Sequence, residues 1–322
     1  MTTDARYRRN LPHLEDRLFL TDGGIETSLI FHDGLELPHF AAFHLLRDMK
    51  GRCALVRYYE RYIEIARADG TGFLLESPTW RASADWGDRL GYSRAEMKAV
   101  NIRSIELMQA LREAHETTRT PMVVSGCVGP RGDGYVSGEV MSADEAAAYH
   151  APQVSAFAEA GADMVSAVTM TNASEAIGVA RAAAQAGLPV SLAFTVEIDG
   201  RLPSGQTLPE AISDVDAATS NGPAYYMINC AHPTHFDSVL QTKAAWTRRI
   251  GGIRANASRR SHRELNESPD LDAGNPIELA GQYRDLVRML PRINVLGGCC
   301  GTDHRHVAAI SLACRLAARQ AA

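Results

Sequence analysis

Eight times along the chain, a short run of β-branched and apolar residues gives way to a longer stretch whose apolar positions recur at helical spacing. The runs are LFLTDGG (18–24), GFLLESPTW (72–80), PMVVSGCVGP (121–130), ADMVSAVT (162–169), PVSLAFTVE (189–197), AYYMINCAH (224–232), RIGGIRANAS (249–258) and INVLGGCCG (293–301). They predict strands, and the amphipathic stretches after them predict helices. CALVRYYERYIEIARADG is one such stretch. SADEAAAYHAPQVSAFAEAG is another, opened by Ser142 with Glu145 three positions later, the pattern of a capping box.

Repeated strand–helix units in a chain of 322 residues predict an α/β fold, a (β/α)8 TIM barrel with eight crossover helices, rather than an open doubly wound sheet. No GxGxxG follows any strand, which weakens the dinucleotide-binding alternative. The chain reads as a single domain with its core at about 16–318, without internal repeat or low-complexity run. Two stretches read as long loops, 81–93 and 256–276. The second is polar with little periodicity, and reads as solvated surface or as a cover over a site.

A composition of 45% hydrophobic and 22% charged residues with a net charge of -5 describes an ordinary globular protein and excludes a disordered or nucleic-acid-binding chain. No apolar run approaches the roughly 18 residues of a membrane helix. The polar start MTTDARYRRN lacks the apolar centre of a signal peptide, so a cytoplasmic protein without membrane contact is expected. Six cysteines scattered over this length do not make a disulfide framework.

In a TIM barrel the chemistry sits at the carboxyl ends of the strands. Asp22, Glu76, Thr79, Cys127, Glu197, Asn229, Cys230, Asn256, Cys299 and Cys300 all fall there. The adjacent pair Cys299 and Cys300 is a poor disulfide, because a trans peptide holds the two Cα atoms only about 3.8 Å apart. Gly297, Gly298 and Gly301 supply the irregular backbone needed to turn both thiols toward one ion. Cys230 ends the sixth run as Cys300 ends the eighth, and three thiolates leave one corner of a tetrahedral Zn²⁺ open, as in catalytic sites. The competing reading is a set of small buried residues, preferred for Cys53, Cys127 and Cys314. His232, His235, His304 and His306 lie close in sequence and keep a mixed Cys/His site open, although exposed first turns of helices account for most of them.

TDGGIETSL, GCVGPRGDGY, INCAHP and VLGGCCGTDHRHVAAI, in that order, resemble the motifs of the homocysteine S-methyltransferase family, which includes betaine–homocysteine and S-methylmethionine–homocysteine methyltransferases. The resemblance implies a TIM barrel whose Zn²⁺ is held by three thiolates, matching Cys230, Cys299 and Cys300 here. It also implies methyl transfer to the sulfur of homocysteine, a thiol that metal coordination deprotonates near neutral pH and the barrel mouth orients for in-line attack. Asp22 matches the acidic residue that helps bind the amino-acid end of homocysteine; as a bare sequence feature it is a turn cap. Gly23, Gly24, Gly129, Gly297 and Gly298 are expected to let backbone approach the ligand, or to serve plain turns. Asn229 hydrogen-bonds within the site or satisfies backbone groups.

The fourth run departs from the family. Where many members carry a glutamate that contacts the substrate amine, AVTMTNASEA places Val168. Glu76 is the expected substitute, with an ion pair to Arg81 or another cation as the competing role. Trp80 and Arg81 stand where betaine-using relatives carry aromatic residues, and a guanidinium there opposes a quaternary ammonium. Trp80, Trp86 and Tyr92 form part of a cationic pocket or simply pack.

The expected reaction is transfer of a methyl group from a sulfonium donor, S-methylmethionine or S-adenosylmethionine, to homocysteine, giving methionine. The expected substrate contacts are Asp22, Gly23, Glu76, Thr79, Val168 and Asn229. The partners are a small-molecule thiol acceptor and the methyl donor, with the protein a monomer or homodimer. Nothing resembling a cobalamin or folate domain follows the barrel. The alternatives are the same chemistry on a different thiol, a non-catalytic zinc- or ligand-binding barrel, and a zinc hydrolase, the last disfavoured because three thiolates weaken the metal as a Lewis acid.

Overall fold

Eight parallel strands pair in chain order and close on themselves: β1 (Phe19–Leu20), β2 (Gly72–Glu76), β3 (Met122–Val128), β4 (Met164–Met170), β5 (Val190–Phe194), β6 (Tyr225–Asn229), β7 (Ile250–Ala255) and β8 (Val295–Gly298). The computed structural model describes residues 5–321 apart from 16, 136, 137, 139, 243 and 269. Each strand lies in its predicted window, β4 running one residue beyond it. The window tails become the loops of the barrel mouth. The seam is thin, since β1 meets β8 through Phe19 opposite Val295 and Leu20 opposite Leu296.

The strands are buried on both faces, which is why they read as continuous apolar runs. Phe19, Leu74, Val123, Met164, Val168, Tyr225, Met227 and Val295 fill the barrel. Val124, Val165, Leu192, Ile228 and Ile253 face the helical layer. Across β3, β4 and β5, the buried hydroxyls of Ser125, Ser166 and Ser191 satisfy one another at 2.8 and 3.1 Å. Leu11 and His13 plug the amino end of the barrel, His13 lying edge-on to Phe19 and Tyr225 at 5.4 Å from each ring.

Long helices follow seven of the strands: Met49–Asp69, Arg94–His115, Ala143–Glu159, Ala173–Gln185, Leu208–Thr219, Pro276–Met289 and His304–Ala321. Among the described residues the eighth expected helix is missing: between β6 and β7 they make only the short turns Pro233–His235, Asp237–Leu240 and Ala245–Arg249. Pro233 removes an amide there, and the Thr242 and Thr247 hydroxyls donate to the carbonyls of Val239 and Ala244, offering the backbone an alternative to a helix.

The capping box of Ser142 and Glu145 forms as predicted, and Ser93 with Glu96, Thr207 with Glu210 and Ser261 with Glu264 repeat it. The two expected loops each hold a short helix, Ala84–Arg89 and His262–Asn266. Cys127 and Cys314 are buried as expected, whereas Cys53 is exposed. The helix Met49–Asp69 buries Gly51, Ala54, Leu55, Tyr58, Tyr59, Tyr62, Ile63 and Ala66, a stripe at helical spacing that position 53 falls outside. Among the described residues, no helix is long and apolar enough to cross a membrane.

Candidate metal centre

The mouth is shaped by backbone that leaves regular geometry. Thr169 in β4 and Cys230 just after β6 adopt φ of 62° and 55°, in the left-handed region that non-glycine residues avoid. Asn229 secures the first of these. Its Oδ1 accepts from the Thr169 amide at 2.8 Å, and its Nδ2 donates to Thr169 Oγ1 at 2.9 Å. Asn256 Nδ2 donates to the Cys230 carbonyl at 2.9 Å.

The turn after β8 is held from both sides. Cys299 N donates to Ala255 O at 2.9 Å, and Ala257 N donates to Cys300 O at 3.0 Å. Gly301, at φ 79°, donates its amide to Thr27 Oγ1 at 3.0 Å. This brings the sulfurs of Cys230, Cys299 and Cys300 within 4.8 Å of one another, with Cys230 and Cys300 at 3.4 Å. A tetrahedral zinc with bonds of about 2.3 Å to sulfur needs sulfur–sulfur edges of about 3.8 Å, so the three residues fit the ion.

The electrostatics agree. Hydrogen bonds from Cys230, Cys299 and Tyr135 hold the Cys300 thiol well below the usual range, while burial pushes Cys230 well above it. Ionising three thiols this close together takes a cation. Among the described residues, they form the one group of three or more His, Cys, Asp or Glu side chains close enough to hold a metal.

The neighbouring histidines are not part of it, and their expected exposure is corrected. His232, His235 and His306 are buried; only His304 is exposed. His232 pairs with Thr234 Oγ1, His235 with Arg259 O and His306 with Asp303 and Ala273 O.

Two residues that sequence reasoning missed cover the centre. Tyr135 Oη lies 3.0 Å from Cys230 Sγ and 3.3 Å from Cys300 Sγ. The ring of His262 lies 4.3 Å from that of Tyr135, with Nδ1 at 3.1 Å from Glu197 Oε1 and Nε2 on the Cys230 carbonyl. Burial alone lowers the His262 pKa, but Glu197 and the carbonyl outweigh it and the imidazole is raised. Tyr135 closes the GCVGPRGDGY motif and was within reach; His262 sits in the aperiodic loop, which is both mostly surface and, at this residue, a cover.

Deeper in the mouth lies a buried charge cluster. Arg254 of β7 donates from Nη2 to Asp22 Oδ1 at 2.6 Å, pairs through Nη1 with Glu76 Oε2 and donates from Nε to Gly298 O at 3.2 Å. Tyr58 Oη donates to Asp22 Oδ2 at 2.8 Å. Burial raises the Asp22 pKa, opposed by Arg254 and Tyr58. The cation beside Glu76 is therefore Arg254, from inside the barrel, rather than Arg81.

Arg81 instead stacks between Trp80 and Trp86, 4.5 and 3.7 Å from the ring centres, so the chain's own cation covers these two aromatic faces. Thr79 is buried, and its hydroxyl donates to Cys127 O at 2.7 Å. Val168 is buried beside Leu74 and Cys127, presenting no charge.

The mouth glycines make room for neighbouring parts of the protein. A β-carbon on Gly23 would lie 2.8 Å from Tyr62 Oη and one on Gly24 2.6 Å from Cys299 O. On Gly129, Gly297 and Gly298 it would overlap Trp80, Thr21 and Thr302 respectively.

A family model described as homocysteine S-methyltransferase matches residues 19–314. Homocysteine S-methyltransferase 1 of Arabidopsis thaliana is 24% identical over 315 residues, covering 91% of this chain and 92% of that protein. Homocysteine S-methyltransferase 4 of Zea mays is 24% identical over 319 residues, covering 92% and 89%. Among solved structures, the metallated form of the homocysteine methyltransferase MmuM from Escherichia coli superposes with a TM-score of 0.73 at 22% identity, covering 94% of this chain and 98% of that one. Its oxidised form gives 0.74 at 23% identity and the same coverage.

Proposed function

Since the chain belongs to the homocysteine S-methyltransferase family, a family of methyltransferases, we propose that it holds Zn²⁺ through Cys230, Cys299 and Cys300 and transfers a methyl group from a small sulfonium donor to homocysteine, yielding methionine. The observation that carries the reading is the convergence of three cysteine sulfurs at the barrel mouth. When bound, the ion supplies the positive charge that keeps the acceptor sulfur a thiolate at neutral pH.

The protein's own residues supply the rest. Tyr135 and His262 roof the cysteines and keep water from the reacting sulfur. Arg254, fixed between Asp22 and Glu76, gives the floor a preset charge, and Val168 and Asn229 line the wall. Arg81 on the tryptophans disfavours betaine. Free cysteines throughout the chain favour a reducing compartment such as the cytoplasm, and we read the whole chain as one catalytic unit.

A second reading, the same chemistry on a thiol without an amine, is favoured by one observation: Asp22 and Glu76 already share a cation. The test is methionine formation by zinc-loaded protein from L-homocysteine, with S-methylmethionine, S-adenosylmethionine and betaine offered separately. Methionine is expected from a sulfonium donor and not from betaine, and Cys299→Ser should lose both zinc and product. Zinc bound in full with no methionine from any donor sinks homocysteine as acceptor.

A further inference from the structure

A guanidinium taken out of water needs hydrogen-bond acceptors for its N–H groups and an anion for its charge. Arg81, in the loop after β2, has neither. It is buried to 8% exposure, and no ion pair or hydrogen bond is seen for its side chain among the described residues. The acids of the neighbouring loops are engaged elsewhere: Asp85 with Arg131, Asp88 with Arg94, and Asp133 with the amide of Tyr135. Asp133 and Glu26 favour the charge of Arg81 only from beyond ion-pair reach.

What holds Arg81 is stacking, 4.5 Å from the ring centre of Trp80 and 3.7 Å from that of Trp86. Stacking covers the faces of a planar cation and leaves its N–H groups, which point outward in the plane, unsatisfied. The indoles add to the shortage. Nε1 of Trp80, Nε1 of Trp86 and Nε of Arg81 are all buried without a partner, three enclosed N–H donors around one positive charge. Leaving buried donors unpaired is costly, so a cluster of this kind suits a ligand that brings the acceptors. With both faces closed, the ligand reaches the guanidinium along its edge, the approach of a carboxylate that takes two parallel N–H bonds.

The cluster borders the cysteine mouth. A β-carbon on Gly129 would lie 2.6 Å from Trp80 Nε1, and one on Gly134 3.0 Å from Trp80 Cζ2. Gly134 precedes Tyr135, whose hydroxyl lies 3.0 Å from Cys230 Sγ.

We propose that Arg81, held between Trp80 and Trp86, is a binding site for the carboxylate of a small molecule in the mouth. The site does not depend on the methyl-transfer reading; that its guest is one of the two substrates does. S-methylmethionine and homocysteine both carry the group. Betaine carries it too, but its quaternary nitrogen stands one carbon away and would be drawn against the guanidinium, whereas the sulfonium of S-methylmethionine stands three carbons away.

Calorimetric binding to zinc-loaded protein identifies the source. One pair of ligands is S-methylmethionine and its decarboxylated analogue, (3-aminopropyl)dimethylsulfonium. The other is L-homocysteine and 3-aminopropane-1-thiol. Propionate, followed by tryptophan fluorescence, probes the site alone. In one pair, wild type is expected to favour the carboxylate roughly 10- to 100-fold, the range for a hydrogen bond to a charged group. Arg81→Met, which removes the charge and keeps an apolar arm between the rings, should erase both that preference and the propionate response. Arg81→Lys keeps the charge without the planar fork and should retain only part of them.

A preference in the donor pair assigns the site to the methyl donor, and one in the thiol pair to the methyl acceptor. If the propionate response depends on Arg81 and neither pair shows a preference, the site stands but its guest is not a substrate of the methyl transfer. No Arg81-dependent response to propionate or to either pair overturns the site, and methionine formation by wild type then shows that the methyl-transfer reading survives it. Should Arg81→Met fold poorly, Arg81→Lys carries the test, and binding equal to wild type there overturns the proposal.

Discussion

Asn229 is the side chain on which the irregular backbone of the mouth depends. By accepting the Thr169 amide and donating to its hydroxyl, it holds a β-branched residue in the left-handed region. Asn229→Ala is expected to cost about 2–3 kcal/mol, because two buried groups lose their partner and the strained backbone loses its restraint. Urea unfolding of the variant checks this, and a loss below about 0.5 kcal/mol would show that Thr169 holds its geometry unaided. Tyr135→Phe removes the hydroxyl beside Cys230 and Cys300. It should weaken zinc binding by about tenfold, as loss of an outer-shell partner usually does, and chelator competition reads the change.

Single residues were unevenly legible. The cysteines and Asp22 stood at strand ends within short motifs. Arg254 did not, because a lone arginine inside an apolar run carries no sign that its partner is Asp22, 232 positions away. His262 lay in a polar segment whose composition resembles any surface loop.

Among the elements, β8 carries its glycines for a packing reason. Gly297 lets Thr21 of the loop after β1 cross the strand, and Gly298 makes the same room for Thr302. Gly297→Ala should therefore destabilise the protein by about 1–3 kcal/mol and reduce zinc occupancy, through displacement of the adjoining Asp22. Thermal unfolding and metal content measure the two effects separately. The strands were readable since two-sided burial leaves an uninterrupted apolar run. Their ends were not, since apolar residues continue into the loops. The β6–β7 crossover misled because its composition did not reveal that threonine hydroxyls would compete for backbone carbonyls.

At the scale of the molecule, the barrel has a titratable plug. Burial lowers the pKa of His13 from 6.5 to about 4. The unfolded chain therefore binds a proton that the folded chain refuses, so stability falls as the pH drops through 6.5 and the loss is complete near 4. The full effect is on the order of 3 kcal/mol. His13→Leu should flatten the decline across that window in a series of urea titrations; an unchanged slope would place the acid sensitivity elsewhere.

The narrow β1–β8 seam also bears on how the protein comes into being. Its two residue pairs join positions near opposite ends of the barrel sequence, so their pairing closes the longest loop in the sheet and is entropically the most demanding. Cys299 and Cys300 follow β8 directly, and Gly24, just past β1, rests on the Cys299 carbonyl. During synthesis the ring stays open until β8 has left the ribosome, and until then the thiols belong to an unfinished chain. With the proposed zinc site, metal uptake would be a clock for closure: in refolding experiments, zinc protection of the cysteines should develop with the slowest phase, after the helices have formed.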